Sequence, residues 1–396
     1  MAWFRMMLLA VAAGLLVHTP APACPFCSMQ GQTLSKEAAL ADFVVFGTPA
    51  NPRLAISADG VEDGFTDLII DEKDGIIKPH DILKGKKVIV LPRYLPVEKD
   101  SKVRLLVFCE VFNDRIDPYR GMPVRSSDIV TYLKGALANQ DKDVPTRLEF
   151  FFNYLDHEEV EISVDAYREF ANADAEDVVK MVAKTDRNRM RTKLISWLRD
   201  EDTPPYRYGL YGYLLGLCGE PKDADVLVEL LNDPERGAVS GIDGILAGYV
   251  KLRPQEGWRF ILDIISNPAR DFTRRYAALR AVRFFWEYRP DLIPKKDLLA
   301  AYDLLLDQKD IADIAIEDLR KWKQWDKADR ILSLSGKDSH NIPIVRRAIL
   351  RYALSCQDEV PAAKAFVEEQ RKLDPKRVKD AEELLKWDDP KPAPAR

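Results

Sequence analysis

The sequence predicts an α+β chain of two domains: a small N-terminal β-barrel or sandwich, then an all-α solenoid of paired helices. Three observations carry this reading. Up to about residue 140, short β-branched and aromatic runs alternate with turn residues. From Pro145 onward, apolar residues recur at steps of three and four, the period of a helix with one buried stripe. Within that second half, small residues return at intervals of thirty-odd positions. The 396 residues suffice for two or three domains. Hydrophobic content of 46% and charged content of 31% are those of an ordinary globular chain. A formal net charge of −5 supplies no bulk attraction to nucleic acid, so none is expected as partner.

Residues 1–23 read as a secretory signal peptide. Arg5 precedes an apolar run of 12 residues, Met6 to Val17, and Ala21-Pro22-Ala23 supplies the small-residue cleavage pattern. A helix needs about 20 apolar residues to span a bilayer, so no transmembrane span is expected. The exported chain would be periplasmic or secreted, begin at Cys24, and carry 58 basic and 64 acidic side chains. APAC lacks the Leu usual three residues before a lipidated cysteine, which argues against a lipid anchor at Cys24.

Export changes how the cysteines are read, because an oxidising compartment permits disulfides. Cys24 and Cys27 form a CPFC motif with no strand before it, unlike a thioredoxin-type pair, and Ser28 stands where haem attachment needs His. The leading expectation is that Cys24 or Cys27 staples the terminus to Cys109, inside a predicted strand. A redox-active Cys24–Cys27 pair is the alternative. Cys218 and Cys356 sit in apolar helical contexts and read as buried thiols.

The head, residues 24–140, contains predicted strands at 42–47, 66–70, 75–78, 87–92 and 103–112. Turns are expected at Asn51-Pro52, Asp59-Gly60, Asp63-Gly64, Asp74-Gly75 and Lys84-Gly85. Ser127 to Ala138 reads as a closing helix capped by Ser127 or Asp128. The acidic run from Asp59 to Asp74 fails the EF-hand spacing, since Val61 and Lys73 fall where oxygen ligands are needed. It reads as a solvated acidic hairpin. A mature N-terminal Cys followed by ADFVVFGTP, ILKGKKVIVLPRY and VRLLVFCEVF resembles the netrin/tissue-inhibitor module, an OB-like barrel tethered by its N-terminal cysteines. That resemblance implies a protease-inhibitory Cys24 whose amine and carbonyl chelate a metalloprotease zinc. The chain has C-P-F-C where that family has C-x-C.

The tail, residues 145–387, shows no credible strand. Gly209 and Gly212 recur 32 residues later as Gly241 and Gly244, and Gly216 as Gly248. Ala278 and Ala281 follow after 37 residues, Ala312 and Ala315 after 34, and Ala348 after a further 33. Second helices end in Leu230-Leu231, Ile264-Ile265 and Leu305-Leu306. Small residues three or four apart make a flat strip that lets a neighbouring helix approach closely. The segments FTRRYAALRAVRFF, IPIVRRAILRYAL and LYGYLLGLCGEPKDADVLVELL resemble HEAT repeats over about 200–375. The whole arrangement resembles exported bacterial HEAT-repeat proteins. Residues 388–396 form a Pro-rich, disordered end.

Catalytic chemistry finds no residues arranged for it. Nucleotide, hydrolase and zincin motifs are missing. His80, His157 and His340 each sit in a loop or cap context. No catalytic residue, metal or cofactor is expected. Trp322 and Trp325 read as inter-repeat packing. The partner-binding candidates are Arg275, Arg280, Arg283, Arg347 and Arg351, which successive first helices could align as a ladder. The alternative is that they pair with acids of adjacent repeats. The sequence thus points to a non-enzymatic binding protein gripping an unidentified protein or peptide with the concave face of a solenoid.

Overall fold

The computed structural model describes residues 26–27, 29–56, 62–97, 103–233 and 240–388. The predicted signal peptide, Cys24, the Asp59-Gly60 turn and residues 389–396 lie outside them. The chain is α+β, with an antiparallel sheet followed by an all-helical region. It divides into two compact units: Met29–Met181, and Phe26 and Cys27 together with Val182 onward. The strands end at Val124 and every later element is helical from Asp128 onward, ahead of the change of period at Pro145, while the division into units falls later.

The first unit begins with α1 (Leu34–Leu40), whose N-cap Thr33 accepts from the Lys36 backbone N–H at 3.1 Å. Six strands follow: β1 (Phe43–Ile56), β2 (Glu62–Ile70), β3 (Ile76–Lys78), β4 (Val88–Leu91), β5 (Arg104–Phe112) and β6 (Arg115–Val124). The order across the sheet is β4-β2-β1-β5-β6, with β3 also on β1. Among the described residues β4 and β6 do not pair, so the expected barrel is an open sheet with two edges. On one face Phe43, Val45, Leu68, Leu105, Val107 and Cys109 form a core cluster. Val44, Phe46, Leu106 and Phe108 on the other face are also buried. Burial on both faces explains why FVVF and LLVFC read as unbroken apolar runs.

Two expected turns are strand interior instead. Asn51-Pro52 is a bulge in β1: the register against β2 shifts between Ala50 and Arg53, and Asn51 takes a positive φ of 47°. Asp63-Gly64 lies within β2. β6 was not anticipated, because its two prolines and glycine mask a strand that only pairing with β5 makes. The unit continues with α2 (Asp128–Ala138), α3 (Val144–Phe152), α4 (Val160–Ala171) and α5 (Ala175–Lys184), the last of which crosses the division.

The second unit is α6 (Arg187–Arg199), α7 (Tyr208–Cys218), α8 (Ala224–Asn232), α9 (Ile242–Leu252), α10 (Pro254–Ser266), α11 (Phe272–Tyr288), α12 (Lys295–Leu306), α13 (Ala312–Lys321), α14 (Ala328–Leu332), α15 (Pro343–Cys356), α16 (Pro361–Leu373) and α17 (Pro375–Asp388). This succession of helix pairs is compatible with a solenoid, as the repeat spacing predicts. The apolar doublets that close α8, α10 and α12 are buried, with exposures of 3% or less.

The recurring glycines explain how α7 and α9 meet. A Cβ at Gly216 would lie 2.5 Å from Gly248 Cα, one at Gly244 2.1 Å from the Gly209 carbonyl oxygen, and one at Gly248 2.1 Å from the Gly212 oxygen. Backbone thus touches backbone where the matching repeat positions predict a flat strip. None of the described helices is long and apolar enough to cross a membrane.

Candidate functional site

The arginine row lies on α11 and α15, with the acidic α13 between them. Arg275 is 3% exposed and donates to Gln308 Oε1 at 2.7 Å and to both oxygens of Asp310, at 3.0 and 2.5 Å. Its guanidinium holds the Asp310 carboxyl below the usual range. Arg283 donates to Asp318 Oδ2 at 3.0 and 2.8 Å, and the buried Tyr302 hydroxyl donates to the same oxygen at 2.7 Å. Arg280 pairs with the buried Asp243 of α9 at 2.8 Å. Arg351 pairs with Glu317 at 3.2 Å and also with Asp388.

Four of the five candidates are therefore engaged by carboxylates of neighbouring helices or, for Arg275, of the turn before α13, and Arg275 is enclosed. The exception is Arg347, which is exposed and makes no ion pair among the described residues. One turn before it on α15, Ile344 is 55% exposed. A cation beside an uncovered aliphatic side chain makes this the part of the row available to a partner.

The tryptophans pack between helices. Trp322 stacks on Trp286 of α11 with ring centroids 4.4 Å apart and planes at 16°, and meets Tyr302 edge-on at 5.0 Å. Trp325 meets Tyr352 of α15 edge-on at 5.4 Å and donates to Glu359 at 3.2 Å. Broad aromatic and charged side chains thus fill the α11–α13 seam, where glycines close the α7–α9 seam.

No disulfide forms among the described cysteines, so the Cys27–Cys109 staple is not made. The reason is local. Cys109 lies in the middle of β5, opposite Phe43 on one side and Pro118 on the other, and packs in the sheet's core as an apolar residue. Burial pushes its thiol pKa up to about 12. Cys218 and Cys356 are buried, as expected, with thiols pushed up by burial to about 12 and about 11. Cys27 is 7% exposed, next to Phe26, whose ring lies 5.1 Å from Tyr213 and 4.7 Å from Phe284. Phe26, an aromatic residue that the sequence reading passed over, thereby packs among the rings of the helical unit. The signal was present: Phe26 is the one aromatic residue of the FWY type between Phe4 and Phe43.

The histidines serve structure. His80 Nδ1 accepts from the Ile82 backbone at 3.1 Å, and His157 Nδ1 accepts from the Glu159 backbone at 3.0 Å. The buried His340 donates from Nε2 to the Leu306 carbonyl at 2.8 Å, which leaves Nδ1 to accept from Ser339 Oγ at 2.8 Å. Four acids of the head's acidic run are paired: Asp67 with Arg53 at 2.8 Å, Asp71 with Arg104 at 2.8 Å, Glu72 with Lys87 at 3.1 Å and Asp74 with Lys134 at 3.1 Å.

One buried carboxylate was missed altogether. Asp165 of α4 is 1% exposed and accepts from Tyr132 Oη at 2.8 Å, Ser35 Oγ at 2.9 Å, the Ser35 backbone at 3.3 Å and the Leu34 backbone. Burial pushes its pKa up to about 6 against those hydrogen bonds. It ties the first turn of α1 to α4 and α2. Its oxygens are consumed by fixed donors, which suits an anchor and not a general base.

Comparison of the chain with protein-family models, with curated proteins and with solved structures finds no match.

Proposed function

We propose that the chain is an exported, non-enzymatic binding protein that engages a protein or peptide through the first-helix face of HEAT-like repeats. The observation that carries the reading is the Ile344–Arg347 strip on α15. It is an uncovered aliphatic side chain beside an unpaired cation, in a row whose other candidate arginines are satisfied internally. HEAT-like identity is supported by the glycine and alanine positions that recur in α7, α9, α11, α13 and α15, each opening a helix pair. Export is supported by the signal-like first 23 residues.

The burial of Cys27 favours binding over thiol–disulfide exchange, because a cycling pair needs an accessible thiolate. The inhibitor reading rests on Cys24, outside the described residues, and no observed contact favours it.

The test is affinity capture from the envelope fraction with the wild-type chain and with Arg347→Glu. Retention of one discrete partner by the wild type, and its loss from the variant, is the expected result. Equal capture by both, or by neither, overturns the assignment to this face.

A further inference from the structure

The open sheet has an apolar mouth that the repeat-based reading leaves unused. A cavity of about 590 Å3 opens on the face of the sheet that carries the core cluster. Its floor is Pro49, Leu91, Leu105 and Val107, all buried. The last three are members of the core cluster itself, so the hydrophobic interior of the unclosed sheet reaches solvent here. The walls come from the two unpaired edges: the segment after β4 on one side and β6 on the other. Where a barrel would close, this chain leaves a slot.

Local structure shapes the slot. β6 carries a bulge opposite Phe108 and Cys109, where Arg120 pairs with Phe108 and Pro118 with Cys109, so Tyr119 is the extra residue. A bulge re-aims its side chain, and Tyr119 lines the cavity. Further along, Gly121 sits directly opposite Val107 and on the same face. A Cβ built there meets only Val107 Cγ2, at 3.7 Å, so glycine is not required by crowding. The space above Gly121 is open volume.

Charge then selects the occupant. Among the described residues the lining holds two arginines and no carboxylate. Arg120 is committed to Glu37. Arg93 is exposed and has no ion pair among the described residues. Tyr119 brings a phenolic hydroxyl to the lining, a group protonated and able to donate at neutral pH. An apolar slot with one free guanidinium at its rim matches an amphiphile with one aliphatic chain and one anionic head. Its volume falls in the range of about 300–1,000 Å3 typical of small-molecule sites.

We propose that this slot binds a single-chain aliphatic carboxylate, the chain lying on Leu91, Leu105 and Val107 and the carboxylate meeting Arg93. The experiment is a fluorescence titration of the full chain with 11-(dansylamino)undecanoic acid, followed by displacement with dodecanoate and with dodecanol. The wild type is expected to show saturable, blue-shifted binding that dodecanoate displaces more effectively than dodecanol. Gly121→Leu fills the slot and is expected to weaken probe binding at least about tenfold, with the circular dichroism spectrum unchanged. Arg93→Glu is expected to cost about tenfold for dodecanoate and nothing for dodecanol, the loss of one charge-assisted contact. Arg93 lies on an exposed segment, so this second variant keeps the test decisive if Gly121→Leu unfolds. Absence of saturable binding by the wild type, equal binding by wild type and a folded Gly121→Leu, or equal dodecanoate affinity in Arg93→Glu overturns the proposal.

Discussion

Asp165 shows how a single residue couples burial to pH. Its pKa rises from an ordinary 3.8 to about 6 on folding. The folded chain therefore holds a proton that the unfolded chain has released between those values. Stability contributed by this group is greatest below that window and falls as pH rises through it. The difference in unfolding free energy between wild type and Asp165→Asn, measured by urea denaturation across that range, is expected to move against the wild type as pH rises. A pH-independent difference would contradict the assignment. The thiols provide a second residue-scale test. With pKa values raised to about 12, 12 and 11, Cys109, Cys218 and Cys356 are expected to resist N-ethylmaleimide in the native protein at pH 8 and to react fully in urea. Native labelling of Cys109, read by peptide mapping, would contradict its burial. At this scale the sequence was partly legible. The apolar settings of Cys218 and Cys356 showed that they are buried. The staple to Cys109 was inferred from compartment, while cross-strand neighbours decided the outcome. Asp165 gave no local signal, because its donors Tyr132 and Ser35 lie 33 and 130 residues away.

Among the elements, the two seams of the helical unit are built on opposite principles. The α7–α9 seam is backbone on backbone, so Gly244→Ala has nowhere to put its Cβ. The substitution is expected to destabilise by about 1–3 kcal/mol, although alanine favours helix more than glycine does. A melting temperature equal to the wild type's would show that the helices separate freely. The α11–α13 seam is held by side chains, with Arg283, Asp318 and Tyr302 in one hydrogen-bonded cluster. Arg283→Met leaves a buried carboxylate without its cation and is expected to cost about 3 kcal/mol. Adding Asp318→Leu is expected to recover part of that loss, since the stranded charge is removed. Strict additivity of the two substitutions would contradict direct coupling. The glycine seam was legible because close approach demands small residues at fixed spacing. The arginine seam was legible only as two alternatives, because the same surface spacing serves a partner or an adjacent helix. β6 and the β1 bulge were hidden because Pro118, Pro123 and Pro52 contradict strand propensity, and pairing with neighbours overrides it.

For the molecule as a whole, the α+β order and the change from a period of two to one of 3.6 followed from pattern alone. Barrel closure did not, because it depends on whether β4 and β6 meet, and strand pairing leaves no trace in either strand's own residues. At this scale the proposal is that the helical unit offers a gripping surface centred on α15. The most direct test places a photo-crosslinking amino acid at position 347, and as a control at 304 on α12, where Leu304 is 39% exposed. Irradiation in the envelope fraction is expected to give a discrete adduct from 347 and none from 304, with the 347 adduct lost on Ile344→Asp. Equal adducts from both positions, or none from 347, would contradict a gripping surface on α15.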